Sequence, residues 1–150
     1  MLINTEKFGT VDVNEEMIFN FVKPVIGFEG NSKYFLISHN EQSPFKWLQS
    51  VENPELAFPV TYASYFDIDY SFELSDDDVA LLELDSLDDL LVLNIANIPH
   101  NLPQNATINL LSPLVFNFKN KKAMQTILSN SNLTTRYALF SEQKQTVEKV

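Results

Sequence analysis

Cysteine is absent from this 150-residue chain, which removes disulfides, thiolate nucleophiles and cysteine zinc sites together. Glycine occurs only as Gly9, Gly27 and Gly30. No phosphate-cradling loop, dinucleotide fingerprint or G-x-S-x-G nucleophile elbow can be written with them. His39 and His100 stand far apart, and neither has a neighbour at ligand spacing, so both read as structural or surface residues. No apolar run is longer than the four residues of Leu90–Leu93, against the ~20 that a membrane-spanning helix requires. The opening MLINTEKFG lacks a basic segment followed by an apolar one and does not read as a signal peptide. The expectation is a cytoplasmic protein that is not an enzyme, with no membrane contact, no cofactor, no metal and no catalytic residue.

Positive charge is missing from the middle of the chain. Between Lys46 and Lys119 there is no Lys or Arg, while twelve carboxylates fall in that stretch: Glu52, Glu55, Asp67, Asp69, Glu73, Asp76, Asp77, Asp78, Glu83, Asp85, Asp88 and Asp89. The formal net charge is −10. A field of that sign repels phosphate backbones and attracts basic partners, so direct nucleic-acid binding is not expected. Acidity that merely keeps the protein soluble is the plainer alternative.

What is present is ample core material: 45% hydrophobic residues, among them twelve Phe. A chain of this size forms one domain without needing a covalent staple. No linker or repeat interrupts it, giving a single domain over 1–140 and a polar C-terminal tail over 141–150. Asp67-Ile-Asp-Tyr-Ser-Phe-Glu-Leu74 alternates acidic or polar residues with apolar ones, the period of a half-buried strand. Further strands are predicted over 8–13, 18–21, 34–38, 56–62, 90–97, 107–111, 114–118 and 123–128, bounded by Gly, Pro and Asn clusters. Ser43-Pro44 predicts a short helix over 45–50. Ser75, followed by Asp76, Asp77 and Asp78, caps a second one reaching Leu82. The fold class is therefore all-β: a small antiparallel β-barrel, or sandwich-like barrel, with one or two short helices.

Asp67 and Asp69 share one face of the predicted strand, where two carboxylates suit acid/base work or a hard cation. The alternation places them in solvent, and a wet surface is the simpler reading. The Asp76–Asp78 run lacks the spaced ligands, central glycine and terminal glutamate of a calcium loop. Helix capping accounts for it.

Pro44-Phe45-Lys46-Trp47-Leu48-Gln49-Ser50, followed by Glu52, Pro54, Leu56-Ala57-Phe58 and Val60, resembles the signature of the flagellar assembly factor FliW family. The resemblance extends upstream to Ile26-Gly27-Phe28-Glu29-Gly30 and Tyr34-Phe35-Leu36-Ile37. Downstream it takes in Thr107–Leu110, Ser112–Asn117, Gln125–Leu128 and Arg136, in order, over roughly residues 1–140. Where the family often has a glycine before Gln125, this chain reads Lys121-Lys122-Ala123-Met124. The resemblance implies a β-barrel-like protein that binds flagellin before export. It also implies antagonism of CsrA, an RNA-binding regulator, relieving repression of flagellin mRNA translation. On charge, Asp67, Asp69, Glu73, Asp76, Asp77 and Asp78 form the expected face toward CsrA, and Phe45, Trp47 and Leu48 are candidate apolar anchors. The competing reading is a barrel mouth lined by carboxylates, serving a small ligand or hydrolysis.

Overall fold

A computed structural model describes residues 1–130 and 132–140; the tail expected at 141–150 lies outside the described residues. The aromatic and β-branched segments form short strands. In chain order these are β1 (Leu2–Thr5), β2 (Gly9–Asp12), β3 (Phe19–Lys23), β4 (Lys33–Ile37), β5 (Phe45–Ser50) and β6 (Ala57–Thr61). After the single α-helix of the described residues, α1 (Asp76–Leu82), come β7 (Leu90–Asn97), β8 (Thr107–Ile108), β9 (Leu114–Asn117), β10 (Lys122–Gln125) and β11 (Tyr137–Ala138).

Seven strands close into a barrel in the order β7-β6-β5-β4-β3-β10-β9, with β9 returning to β7 through Leu90↔Asn117 to Leu93↔Leu114. Closure leaves the ring without a free edge. All its pairings are antiparallel except β10 with β3, whose register slips between Ala123 and Met124. The far end of β7 pairs instead with β8 (Ala96↔Ile108), and β11 lies beyond β8.

Side-chain alternation sorts residues between the two faces of the ring. Phe19, Phe21, Tyr34, Leu48, Val60, Leu93, Leu114 and Phe116 fill the interior as one cluster. The outer face is covered in three places. The β1–β2 hairpin lays Ile3 and Val13 against Phe35. The β8–β11 pair gathers Ala96, Ile108 and Leu139. Leu82 of α1 packs on Val115 and Met124. A hydrophobic patch thus lies beneath each covering element, which burial of apolar area stabilises.

The strands expected over 107–111 and 123–128 are shorter, ending at Ile108 and Gln125, and two expected elements differ in kind. Residues 45–50 form strand β5, not a helix, paired on both sides through Leu36↔Leu48 and Leu48↔Phe58. Ser43 Oγ does accept the Phe45 N–H at 3.1 Å, but as a local turn. A six-residue helix would leave most of its backbone groups unpaired, whereas two neighbouring strands satisfy them. Residues 67–74 do alternate between exposed and half-buried positions, yet they belong to no strand. They form a strap over the outside of the barrel, where β7 is already paired on both sides and offers no edge. Ile68 and Tyr70 pack on the β8–β11 patch, and Phe72 and Leu74 on the α1 patch. Alternation reported one-sided burial correctly; it could not report whether a partner edge was free.

Candidate functional site

Helix α1 begins where Ser75 Oγ accepts the Asp78 N–H at 3.1 Å, with Asp76 and Asp77 beside it in the first turn. Its far end is held from the β9–β10 hairpin. The Nδ2 atoms of Asn117 and Asn120 each donate to the Leu82 carbonyl at 3.0 Å. The strap arrives pinned by Tyr70, whose hydroxyl donates to the Leu110 carbonyl at 2.5 Å. Burial pushes the Tyr70 phenol above its ordinary pKa, partly opposed by a hydrogen bond with Asn94.

This scaffold sorts the acidic residues into two groups. Lys122 pairs with Glu83, Lys119 lies 3.9 Å from Asp85, and Lys23 lies 3.5 Å from Asp78. Asp67, Asp69, Glu73, Asp76 and Asp77 are exposed, and none has an ion-pair partner among the described residues. Asp67 ends a 3₁₀ turn in the left-handed conformation (φ 56°), which tips the chain from that turn into the strap.

Glu73 and Asp77 of the unpaired group border a groove in two connected parts. One cavity of about 490 Å³ lies between Lys23, Ile26, Glu29, Asp77 and Ile127. A second of about 520 Å³ continues along Glu73, Leu74, Leu128 and Leu133. The two share Ser75, Asp78, Thr126 and Ile127. Ile26 is 55% exposed and Ile127 63%, so the groove has apolar shoulders and a carboxylate rim. The sequence reading missed both isoleucines. Ile26 sits in a turn after Pro24, where no periodicity marks it. Ile127 lies two residues past the end of β10, inside the strand expected over 123–128, where alternation alone does not mark it as exposed.

Of the expected contact residues, Leu48 is removed from any outer surface, and Asp78, although it lines the groove, is almost wholly covered. Asp78 is buried and accepts from Thr126 Oγ1. Leu48 is wholly enclosed in the barrel because β5 alternates and turns it inward. Phe45 is half-buried against the β8–β11 patch, 5.9 Å from the Phe66 ring. Trp47 is half-buried on the outer face, 6.1 Å from Phe8 and beneath Lys7. The acidic group and the aromatic group therefore occupy different elements and form no common cluster. No carboxylate enters the barrel interior, the sole buried one among the described residues being Asp78 outside it. Among the described residues, no group of three potential metal ligands comes together, and no helix is long and apolar enough to cross a membrane.

Residues 2–139 match the family described as FliW protein. The flagellar assembly factor FliW of Pseudothermotoga lettingae is 38% identical over 141 residues, covering 94% of this chain and 90% of that one. The protein of the same description from Ruminiclostridium cellulolyticum is 38% identical over 149 residues, covering 98% of this chain and all of the relative. A crystal structure of the flagellar assembly factor FliW superposes with a TM-score of 0.87 at 27% identity, over 95% of this chain and 99% of that one.

Proposed function

The chain belongs to the FliW family of flagellar assembly factors, and from that premise we propose that it acts by binding two proteins in turn, flagellin and CsrA. Held by flagellin, it is unavailable to CsrA, which then represses translation of flagellin mRNA. Freed when flagellin is exported, it binds CsrA and lifts that repression. The cycle needs binding and release, with no cofactor and no turnover, and it runs in the cytoplasm, where both flagellin synthesis and its mRNA are found.

The observation that carries the CsrA half of this reading is the set of exposed carboxylates at Asp67, Asp69, Glu73, Asp76 and Asp77, without an ion-pair partner among the described residues, of which Glu73 and Asp77 line a groove with apolar shoulders. An RNA-binding protein presents positive charge, and opposite fields speed encounter and orient docking. The apolar shoulders supply what charge alone lacks, area that leaves water on contact. Asp78 and Leu48 hold the fold, and the contact face consists of the other acidic residues with Ile26 and Ile127.

The test is capture of the same organism's flagellin and CsrA on the immobilised protein, singly and in competition. Retention of each partner, with flagellin lowering the CsrA retained, supports the cycle. Retention of neither rejects it.

A further inference from the structure

A separate cleft of about 420 Å³, sharing no residue with the α1 groove, lies on the outer face of β5. It is lined by Glu6, Lys7, Trp47, Gln49, Glu55 and Ala57, with Pro54 at its rim. Its two walls are fixed to each other. The turn of the β1–β2 hairpin docks on the β5–β6 turn through the Glu6 N–H, which donates to the Pro54 carbonyl at 2.9 Å. Trp47 and Gln49 are two residues apart on β5 and so point the same way, opposite Pro59 and Ala57 of β6.

Gln49 is wholly buried, and the roles of its two amide atoms are settled by its neighbours. Nε2 donates toward the carbonyls of Ser50, Asn53 and Pro54 at 3.0, 3.3 and 3.4 Å. Oε1 is left as a buried acceptor with no donor among the described residues. Such an atom carries a desolvation penalty until an N–H reaches it. The cleft that Gln49 lines also offers an indole face and two exposed carboxylates, Glu6 and Glu55, without an ion-pair partner among the described residues. The indole already attracts a cation: Lys7 Nζ lies 4.1 Å from the ring centroid.

We propose that this cleft is a binding site for the guanidinium group of an arginine on a partner protein, with Lys7 occupying it until the partner arrives. A guanidinium is planar and stacks on an indole, and its several N–H groups can serve a carboxylate and a neutral acceptor at once. An ammonium is a compact, strongly hydrated charge and satisfies fewer of these groups together. Lys7 is exposed and reaches the ring from a hairpin turn, so it can swing aside without disturbing the core. The inference rests on the reading that this chain binds proteins, but not on which protein, and its test uses no partner.

Trp47 is the chain's single tryptophan, so its fluorescence reports directly on the cleft. The probes are three capped tripeptides, acetyl-Gly-X-Gly-amide, with X as arginine, lysine or the uncharged isostere citrulline. The arginine peptide should give a saturable fluorescence change, the lysine peptide a several-fold weaker one, and citrulline none. Lys7→Ala should bind the arginine peptide several-fold more tightly, because the resident cation is gone. Glu6→Gln with Glu55→Gln should lose the response while keeping the wild-type circular dichroism. No saturable change in either the wild type or Lys7→Ala overturns the proposal. So does an equal response to lysine, or a double variant that binds as the wild type does. Partner capture failing while the arginine peptide binds would count against the flagellin and CsrA reading alone.

Discussion

Thr126 Oγ1 donates to Asp78 Oδ2 at 2.5 Å, joining the first turn of α1 to the end of β10 across 48 residues of sequence. Lys23, from β3, approaches the same carboxylate from its solvent side. Three elements that line the groove thus meet at one buried carboxylate. Hydrogen bonds to charged groups contribute about 1.5–3 kcal/mol. Thr126→Val, which keeps the shape and removes the donor, should lower the unfolding free energy by about that much in urea titrations. A double-mutant cycle with Asp78→Ala should show coupling between the two sites. A neutral Thr126→Val would mean the contact does not organise this corner.

Tyr34 presents the opposite case, a polar atom with nothing to hold. Its side chain is wholly enclosed in the barrel, and its hydroxyl has no hydrogen-bond partner among the described residues. Burial, and secondarily the charge of Glu52, push its pKa up to about 12. A folded-state pKa above the unfolded one means the native state holds the proton longer. Stability is then intact below pH ~10 and falls as pH rises toward the folded value, by roughly 3 kcal/mol across the interval. Tyr34→Phe should leave stability at neutral pH unchanged or improve it by about 1 kcal/mol. It should also abolish this part of the alkaline decline. Denaturant unfolding of both proteins between neutral and strongly alkaline pH checks both statements.

Lys121 stands in the β9–β10 turn at φ 65°, a left-handed conformation that costs an L-residue about 1–2 kcal/mol. The same side chain lies 3.7 Å over the Phe118 ring, which returns roughly 0.5–1 kcal/mol. Lys121→Gly relieves the strain and loses the ring contact, while Lys121→Ala loses the contact and keeps the strain. The glycine variant should therefore be more stable than the alanine variant by about 1–2 kcal/mol in thermal melts. Equal melting temperatures would contradict this balance.

The fold was legible wherever a local pattern coincided with its tertiary use. β7 follows Leu90–Asn97 as expected, and α1 starts behind the Ser75 cap. The failures have a common cause. Ser43-Pro44 is a sound local helix signal, yet strands on both sides of 45–50 offered its backbone more partners. The strap over 67–74 has a strand's alternation without a strand's neighbour. The site was legible in composition more than in position. The carboxylates stood out, but which of them are neutralised depends on Lys23, Lys119 and Lys122 arriving from distant elements. For the same reason Asp78 looked like its neighbours in sequence and proved to be buried.

Steering of a basic protein partner by the exposed carboxylates would make the rate of association depend on them and on salt. Exposed charges act mainly on encounter rate and are screened over ~8 Å at physiological salt. The measurement is the rate of association with the same organism's CsrA across a salt series. It compares the wild type with Asp67→Lys, Asp69→Lys and Glu73→Lys combined in one variant. All three side chains are exposed, so circular dichroism and melting temperature should be unchanged. Association at low salt should be markedly slower for the variant, and the wild-type rate should fall as salt rises. A variant that associates at the wild-type rate at low salt would contradict it, and the acidity would then serve solubility alone.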